Sequence, residues 1–573
     1  MKRRTGGEAL CSALERLGVG HVFGVPGTQN INLFEALRRS SLRTILATHE
    51  LAAGFMANGY YRGSGKVGVL TTIPGPGFAF TIAAIAEAAQ DSSALLYIVG
   101  KAGTIPGRKF NLQQIDQRAI LAPLVKRTID VDDPADIVSV AYEAYDLATA
   151  GEPGPVALEV TDRAIEGEVP DGQPSVDGNR TPRRAPPPDS LDELMRMLAE
   201  SRRAVLFVGQ GVNEASAPLR ELAELLDAPL IATRSARGAL AEDHRLALAA
   251  DFAGSAVRAL NSILDGSDLI LALGCKFTHN GTYGFQLHFQ KEKLIHVDAS
   301  AEVLDANYPA QLAVLADAPL TIQAILKRRE TLAPRQSAWD QPELARLKQA
   351  GRPDGSLPEP RIHGVDPQTP AALFAALRRA MPPDACLVTD SGWHQVLATR
   401  HFQVLGPRGL IIPSDFQSMG FGLPAAIAAK LAAPEKKVVA LIGDGGLAMS
   451  GMELLTAVRE RIPITVVVFN DGALGQIRIQ QLSSFGHAHA TGLETPDLSL
   501  FAEAVGAAYV QLESDAETTL RAAIHRDGVT LVEVNVGDSP TIRVARAKGL
   551  ARRTAKRAFS PSLLRWVKSK VDS

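Results

Sequence analysis

The stretch GDGGLAMSGMELLTAVRERIPITVVVFND runs from Gly443 to Asp471. It opens on a tight Gly-Asp-Gly turn and closes on an Asn-Asp pair, with Asp444 and Asp471 27 positions apart. The preceding KVVALIG is an apolar run that ends at the turn, and ITVVVFND is a second such run. Ser450 followed by Glu453 is a capping-box pattern, which predicts a helix starting there and stopping at Pro463. Strand, helix and strand make one β-α-β unit, whose right-handed crossover brings both strand ends to the same sheet edge. Asp444 and Asp471 then face a crevice at the carboxyl ends of the strands.

Gly443, Gly445 and Gly446 let the backbone approach a ligand and offer amide N–H groups to anionic oxygens. Two oxygen ligands beside a phosphate cradle suit Mg²⁺. For the turn alone, an ordinary Rossmann-like turn with two surface aspartates is the plainer reading. The Asn-Asp pair at this distance favours a diphosphate and its metal.

Similar alternation extends along the chain. HVFGVPG, KVGVLTT, ALLYIVG and PVALEV read as buried strands in a first block, AVLFVGQG, PLIAT, LILALG and LIHVD in a second, and CLVTD, KVVALIGDG, ITVVVFND and LVEVNV in a third. Amphipathic stretches such as APLRELAELL and MELLTAVRER lie between some of them. Two Pro/Gly/charge-rich stretches, from Pro170 to Ser190 and from Gly351 to Pro367, read as linkers. The expected fold is α/β, three consecutive doubly wound parallel-sheet domains at 1–170, 190–335 and 366–540, with a basic tail at 541–573.

The 573 residues are too many for one core, which agrees with several domains. A formal net charge of −2 gives no global field for nucleic acid or a membrane surface. Three scattered cysteines supply neither a disulfide framework nor a metal spacing, and a reducing cytoplasm fits. The uncharged run from Val67 to Ala86 is interrupted by Pro74-Gly75-Pro76-Gly77, so it reads as strand, turn and helix and not as a membrane span.

The Gly443–Asp471 pattern resembles the diphosphate motif of thiamin diphosphate (ThDP)-dependent enzymes. That resemblance implies Mg²⁺ held by Asp444, Asp471 and the carbonyl of Ala473, with Gly475 close by; Asp471 departs from the family's usual Asn. ILATHELAAGFMANGYYRGSG is similar to the family's pyrimidine-binding segment and implies Glu50 as the carboxylate on N1′ that activates the cofactor. A first-turn Glu favoured by the helix dipole is the structural alternative. FGVPGTQNINLFEAL, with Pro26 and Gly27, and TTIPGPGFAF, with Gly75, resemble the family's first turn and glycine loop. DFQSMGFGLPAAIAAKL resembles the segment that bends the cofactor, with Met419 as wedge and the Gln417 carbonyl on the pyrimidine amine. In VTDSGWHQVLATR, Ser391 and His394 are implied as diphosphate-side contacts, while Trp393 departs from the usual Gln.

The resemblance spans nearly the whole chain and is acetolactate synthase-like. It implies active sites between two chains, hence a homodimer or homotetramer. FNLQQID carries Gln113 where pyruvate decarboxylases have a His pair. Gln there suits carboligation of a 2-oxo acid such as pyruvate with an aldehyde or ketone. A lyase or non-oxidative decarboxylase (benzaldehyde lyase-like, benzoylformate decarboxylase-like or 2-hydroxyacyl-CoA lyase-like) stays open, as does a non-catalytic ThDP-fold binding protein. Gln480 replaces a Trp typical of acetolactate synthases, and Lys276 stands where those enzymes usually have Arg, so FAD binding stays open. The basic tail reads as a solvated helix or as a lid over an anionic substrate.

Overall fold

The computed structural model describes residues 4–169, 182–248, 254–332, 336–353 and 357–558. Three sheets follow one another along the chain. The first has strand order Arg43–Leu46, His21–Gly24, Gly68–Thr72, Leu95–Gly100, Pro155–Val160, Arg127–Val131, all parallel. The second runs Leu312–Leu315, Leu294–Asp298, Leu269–Leu273, Ala204–Val208, Leu230–Ala232, Ala247–Leu248, again all parallel. The third centres on Thr530–Gly537, Thr465–Asn470, Val438–Gly443 and Cys386–Thr389, with Leu410–Ile411 at one end and Ala508–Gln511 beside Thr530–Gly537.

Alternate residues of one strand enter different cores, which is the mark of a sheet covered on both faces. Val439, Leu441, Val467 and Phe469 pack on one face of the third sheet, while Ala440, Ile442, Val466 and Val468 pack on the other. That second core is shared with Phe23, Leu70, Tyr97 and Val99 of the first sheet. Helices Glu50–Ser64 and Gly422–Ala432 fill the space between the two. They approach closely because small residues face each other: a Cβ on Gly59 would lie 2.5 Å from the Ala425 Cα, and one on Gly63 3.1 Å from the Ala429 Cα.

Two expectations need correction. The segment from Gly351 to Pro367 is not only a linker: Arg361–Ile362 pairs antiparallel with Gly537 and Val536 and extends the third sheet. Ser450 caps no helix. One helix, Asp444–Ser450, starts at the Gly-Asp-Gly turn itself, and the Ser450 hydroxyl bonds back to the Gly446 carbonyl at 3.2 Å. A second, Glu453–Arg459, has Met452 at its N-cap without a side-chain bond.

The stretch 170–181 of the other expected linker lies outside the described residues. So does the tail beyond residue 558, which holds Arg565, Lys568, Lys570 and Asp572. The nearer part of the tail is a helix, Pro540–Ala558. It lies on helix Gly475–Phe485, where Gly549 meets the Leu482 carbonyl and Ile542 joins Ile479, Leu482 and Trp393.

Candidate active site

Strands Val438–Gly443 and Thr465–Asn470 are parallel neighbours with Gly443 opposite Phe469. Asp444 and Asp471 therefore emerge side by side. Asp444 is buried; its Oδ1 accepts the Gly445 N–H at 2.8 Å and its Oδ2 accepts the Thr495 hydroxyl at 3.1 Å. Asp471 Oδ1 accepts the Ala473 N–H at 3.2 Å. The loop is tied down by Leu474 N–H on the Thr491 carbonyl and Leu493 N–H on the Gly472 carbonyl, both 2.8 Å. Gly475 leaves room for the Asp471 carboxylate, since a Cβ there would lie 2.1 Å from Oδ2.

Burial pushes the Asp471 carboxyl up to about 6, and the neighbouring Asp444 adds to the shift. Asp444 is raised as well, by burial, against the pull of its N–H and hydroxyl donors. Two crowded carboxyl groups of this kind are what a divalent cation would relieve. Among the described residues no group of three or more His, Cys, Asp or Glu gathers. Two carboxylates and the Ala473 carbonyl, sharing the ion with phosphate oxygens, are enough for Mg²⁺, and the donor set fits it.

Asp390, at the end of strand Cys386–Thr389, organises the adjoining turns. Its carboxylate accepts the Ser391 N–H at 2.7 Å and the Gly420 N–H at 2.9 Å. Burial lifts it to about 7 in spite of these bonds. His394 bonds the Asp390 carbonyl through Nε2 at 3.0 Å and packs its ring on Gly443. Burial lowers its pKa to about 4, so it is neutral. Gln417 takes a left-handed backbone (φ 63°), held by its own amide, which donates to the Pro413 and Ser414 carbonyls at 2.6 Å. Met419 reaches over the glycine turn, its Cε 3.3 Å from where a Gly445 Cβ would be.

On the first domain, Glu50 is the first residue of helix Glu50–Ser64, after a His49 cap. Its Oε1 lies 3.4 Å from where a Cβ on Gly77 would sit. Gly75 (φ 65°) is pressed against Gln113, whose backbone is also left-handed (φ 57°) and whose Oε1 is buried without a partner. The Gly75 N–H bonds Gln117 Oε1 at 3.2 Å, and Gln117 Nε2 bonds Glu159 Oε1 at 2.8 Å. Gly27 offers its N–H to Asn30 Oδ1 at 2.7 Å and packs beside Ile73, next to Pro26. Thus Glu50, the glycine loop and Gln113 gather in the first domain, and Asp444, Asp471, His394 and Met419 gather around the Gly-Asp-Gly turn of the third.

Sequence reading missed Asp390, Thr495, Gln117, Glu159 and Asn30. For Asp390 a signal existed, an acid at the carboxyl end of the buried run CLVTD. The others sit in no local pattern.

A separate cavity of about 850 Å³ opens where the first and middle domains meet, with Arg408, Ser414 and Asp415 of the third domain also in its walls. Gly209, Gly211, Arg234, Lys276, Asp298 and Asp317 are among its walls, and no residue of the Gly-Asp-Gly turn is. Lys276 does not stand free in it: its ammonium pairs with Glu152 and reaches the Gln90 carbonyl at 3.4 Å.

Comparison with known proteins agrees with this architecture. Residues 4–120 match the thiamine pyrophosphate enzyme N-terminal TPP binding domain, 191–325 the central domain and 390–534 the C-terminal TPP binding domain. The chain belongs to the thiamin diphosphate-dependent enzymes. Within them it is acetolactate synthase-like. It is 31% identical to acetolactate synthase of Mycobacterium bovis over 90% of this chain and 85% of that one. It is 30% identical to acetolactate synthase isozyme 1 large subunit of Escherichia coli over 93% and 94%. It is also 32% identical to a probable 2-ketoarginine decarboxylase of Pseudomonas aeruginosa over 93% and 94%. Among the described residues no helix is long and apolar enough to cross a membrane.

Proposed function

We propose that the protein is a ThDP- and Mg²⁺-dependent carboligase that decarboxylates a 2-oxo acid such as pyruvate and joins the remaining fragment to a second carbonyl compound. When bound, ThDP supplies the nucleophilic carbon and electron sink that this decarboxylation requires. Glu50 holds and moves the proton at pyrimidine N1′. The Gln417 carbonyl would accept from the pyrimidine amine, and Met419 would give the cofactor apolar support. Asp444, Asp471 and the Ala473 carbonyl would hold Mg²⁺, and the Gly446 amide would face the diphosphate; the Gly445 N–H, expected to do the same, is instead taken by Asp444 Oδ1 at 2.8 Å.

The observation that carries ligation over simple decarboxylation is Gln113. Its carbonyl oxygen is buried and unpartnered against Gly75, beside the glycine loop that also meets Glu50. The buried Oε1 can only accept, so it is the amide N–H groups of Gln113 that would donate to a carbonyl substrate, without offering a titrating proton, which leaves addition to a second carbonyl as the next step. A decarboxylase is the second reading. His49, exposed and 4.8 Å from the Phe80 ring centroid, adjoins Glu50 and could return a proton to the product.

The site is completed by a second copy of the chain, as homodimer or homotetramer. Apolar side chains stand exposed beside both halves of the site: Phe80 51%, Phe110 100%, Leu112 77%, Met449 57% and Met452 52%. Such clustering supports burial against a partner. The cavity between the domains has the size of a nucleotide site, and FAD is a candidate for it. Stoichiometric flavin released on denaturation would assign it, and a colourless protein would remove FAD from the account. For the reaction itself, holoenzyme is incubated with 2-oxo acids and aldehydes and the products are weighed. Ligated hydroxyketone or acetohydroxy acid products support the carboligase, and free aldehyde alone supports the decarboxylase.

A further inference from the structure

Glu453 is a buried acid, 1% exposed, and the mechanism above does not use it. Its helix, Glu453–Arg459, follows the Gly-Asp-Gly turn by a few residues, yet its polar face is turned to the other cofactor-binding domain. Glu453 Oε1 accepts the Thr48 N–H at 3.0 Å and also the Thr48 hydroxyl. Its Oε2 accepts the Thr456 hydroxyl at 2.7 Å. One turn further on, Arg459 donates to the Leu46 carbonyl, which the Thr456 hydroxyl also reaches at 3.4 Å. Residues 453, 456 and 459 lie on one helix face. Together they grip the end of strand Arg43–Leu46 and the turn that leads into Glu50.

A carboxylate this deep is costly unless donors surround it. Burial raises the Glu453 carboxyl, and bonds from the Thr48 side chain, Thr456 and the Thr48 and His49 backbone oppose that rise. Apart from Thr456 on its own helix, these donors belong to the two residues that precede Glu50. An acid used only to join two domains could have bonded any surface of the first domain.

We propose that Glu453 is a positioning residue for Glu50, fixing the Thr48–His49 turn so that the Glu50 carboxylate meets the pyrimidine ring. The proposal rests on the assignment of Glu50 to pyrimidine N1′. It ties the activation of the cofactor to the helix that grows from the diphosphate turn of the same chain.

The test uses full-length protein loaded with ThDP and Mg²⁺, carrying Glu453→Ala, Glu453→Gln or Glu50→Gln. C2–H/deuterium exchange of bound ThDP, ThDP affinity and amide hydrogen exchange of residues 46–52 in cofactor-free protein are read in parallel. Glu453→Ala is expected to slow C2 exchange roughly tenfold or more, as loss of an orienting outer partner does. Cofactor affinity should change little, and the 46–52 amides should exchange faster. Glu453→Gln should recover most of the rate, because its amide oxygen still accepts from Thr48 and its amide nitrogen can face Thr456.

Should Glu453→Ala not fold, Thr48→Val removes the exposed hydroxyl partner and must slow C2 exchange in the same direction. Unchanged C2 exchange in Glu453→Ala and Thr48→Val, beside a slowed Glu50→Gln, overturns the positioning role. So does a loss of melting temperature and affinity with C2 exchange intact. Unchanged exchange in Glu50→Gln overturns the underlying pyrimidine assignment instead.

Discussion

The carboxylate of Asp390 occupies the space in front of Gly446: a Cβ on Gly446 would lie 2.2 Å from Asp390 Oδ2. Asp390 cannot swing aside, because the Ser391 and Gly420 amides hold it. The glycine of the diphosphate turn is thus required by the neighbouring strand as well as by the ligand.

Gly446→Ala should therefore destabilise the cofactor-free protein by about 1–3 kcal/mol, the cost of overpacking a filled site. Gly443→Ala should cost less, since its Cβ would meet His394 Nδ1 at 3.2 Å, a contact that a small ring shift relieves. Urea unfolding of both variants without ThDP separates the two. Equal losses would show that Asp390 yields.

Asp471→Asn should be tolerated and bind ThDP with Mg²⁺ as well as or better than the parent. The Asp471 carboxyl is already pushed up to about 6, by burial and then by Asp444, so one negative charge is crowded there. Like charges ~4 Å apart cost about 4 kcal/mol at an effective dielectric near 20 before any metal compensates. An Asn carbonyl keeps the oxygen ligand and drops the charge. Asp444→Ala should be far worse, since it also strips the partner of Gly445 and Thr495. Calorimetric titration of apoprotein decides; abolished binding in Asp471→Asn with intact binding in Asp444→Ala would refute the metal assignment.

His394 should make the cofactor-free protein acid-sensitive. Its pKa falls from 6.5 to about 4 on folding because burial penalises the charged ring. The unfolded chain then binds the extra proton between those values, so stability from this residue is complete above pH 6.5 and is lost as pH falls towards 4. The loss is on the order of 3 kcal/mol at most. His394→Gln should flatten the dependence across that window. Comparing parent and variant at each pH isolates His394 from the buried acids Asp390 and Glu87, which titrate higher. Parallel curves would exclude the effect.

Gln113→His should shift products from ligation towards aldehyde release, because imidazole offers a titrating proton where the amide does not. His tolerates the left-handed backbone that Gln113 adopts at φ 57°. Gln113→Ala should lower ligation while leaving C2–H exchange of the cofactor near the parent rate. Product ratios by mass spectrometry test both, and an unchanged ratio in Gln113→His would remove Gln113 from product control.

Much of this was written locally. The turn at Gly443–Gly446, the run ITVVVFND and the spacing of Asp444 and Asp471 are short-range patterns, and the parallel pairing of Val438–Gly443 with Thr465–Asn470 follows from them. The buried strands were legible because their residues are apolar on both faces. Arg43–Leu46, Arg127–Val131 and Ala508–Gln511 were not, because these strands are half exposed and carry charged or polar residues.

The capping-box pattern of Ser450 and Glu453 shows where local reading stops. The pair is present, but Glu453 turns away from Ser450 and bonds Thr48, 405 positions earlier. Only the packing of helix Glu50–Ser64 on helix Gly422–Ala432 brings those groups together. Gln113 meets Gly75 within the first domain, and Asp390 meets Gly446 because strands Cys386–Thr389 and Val438–Gly443 are neighbours in the third sheet; both contacts join residues distant in sequence. Sequence period reports what a residue does for its own helix or strand. A buried carboxylate goes where tertiary packing leaves it a donor.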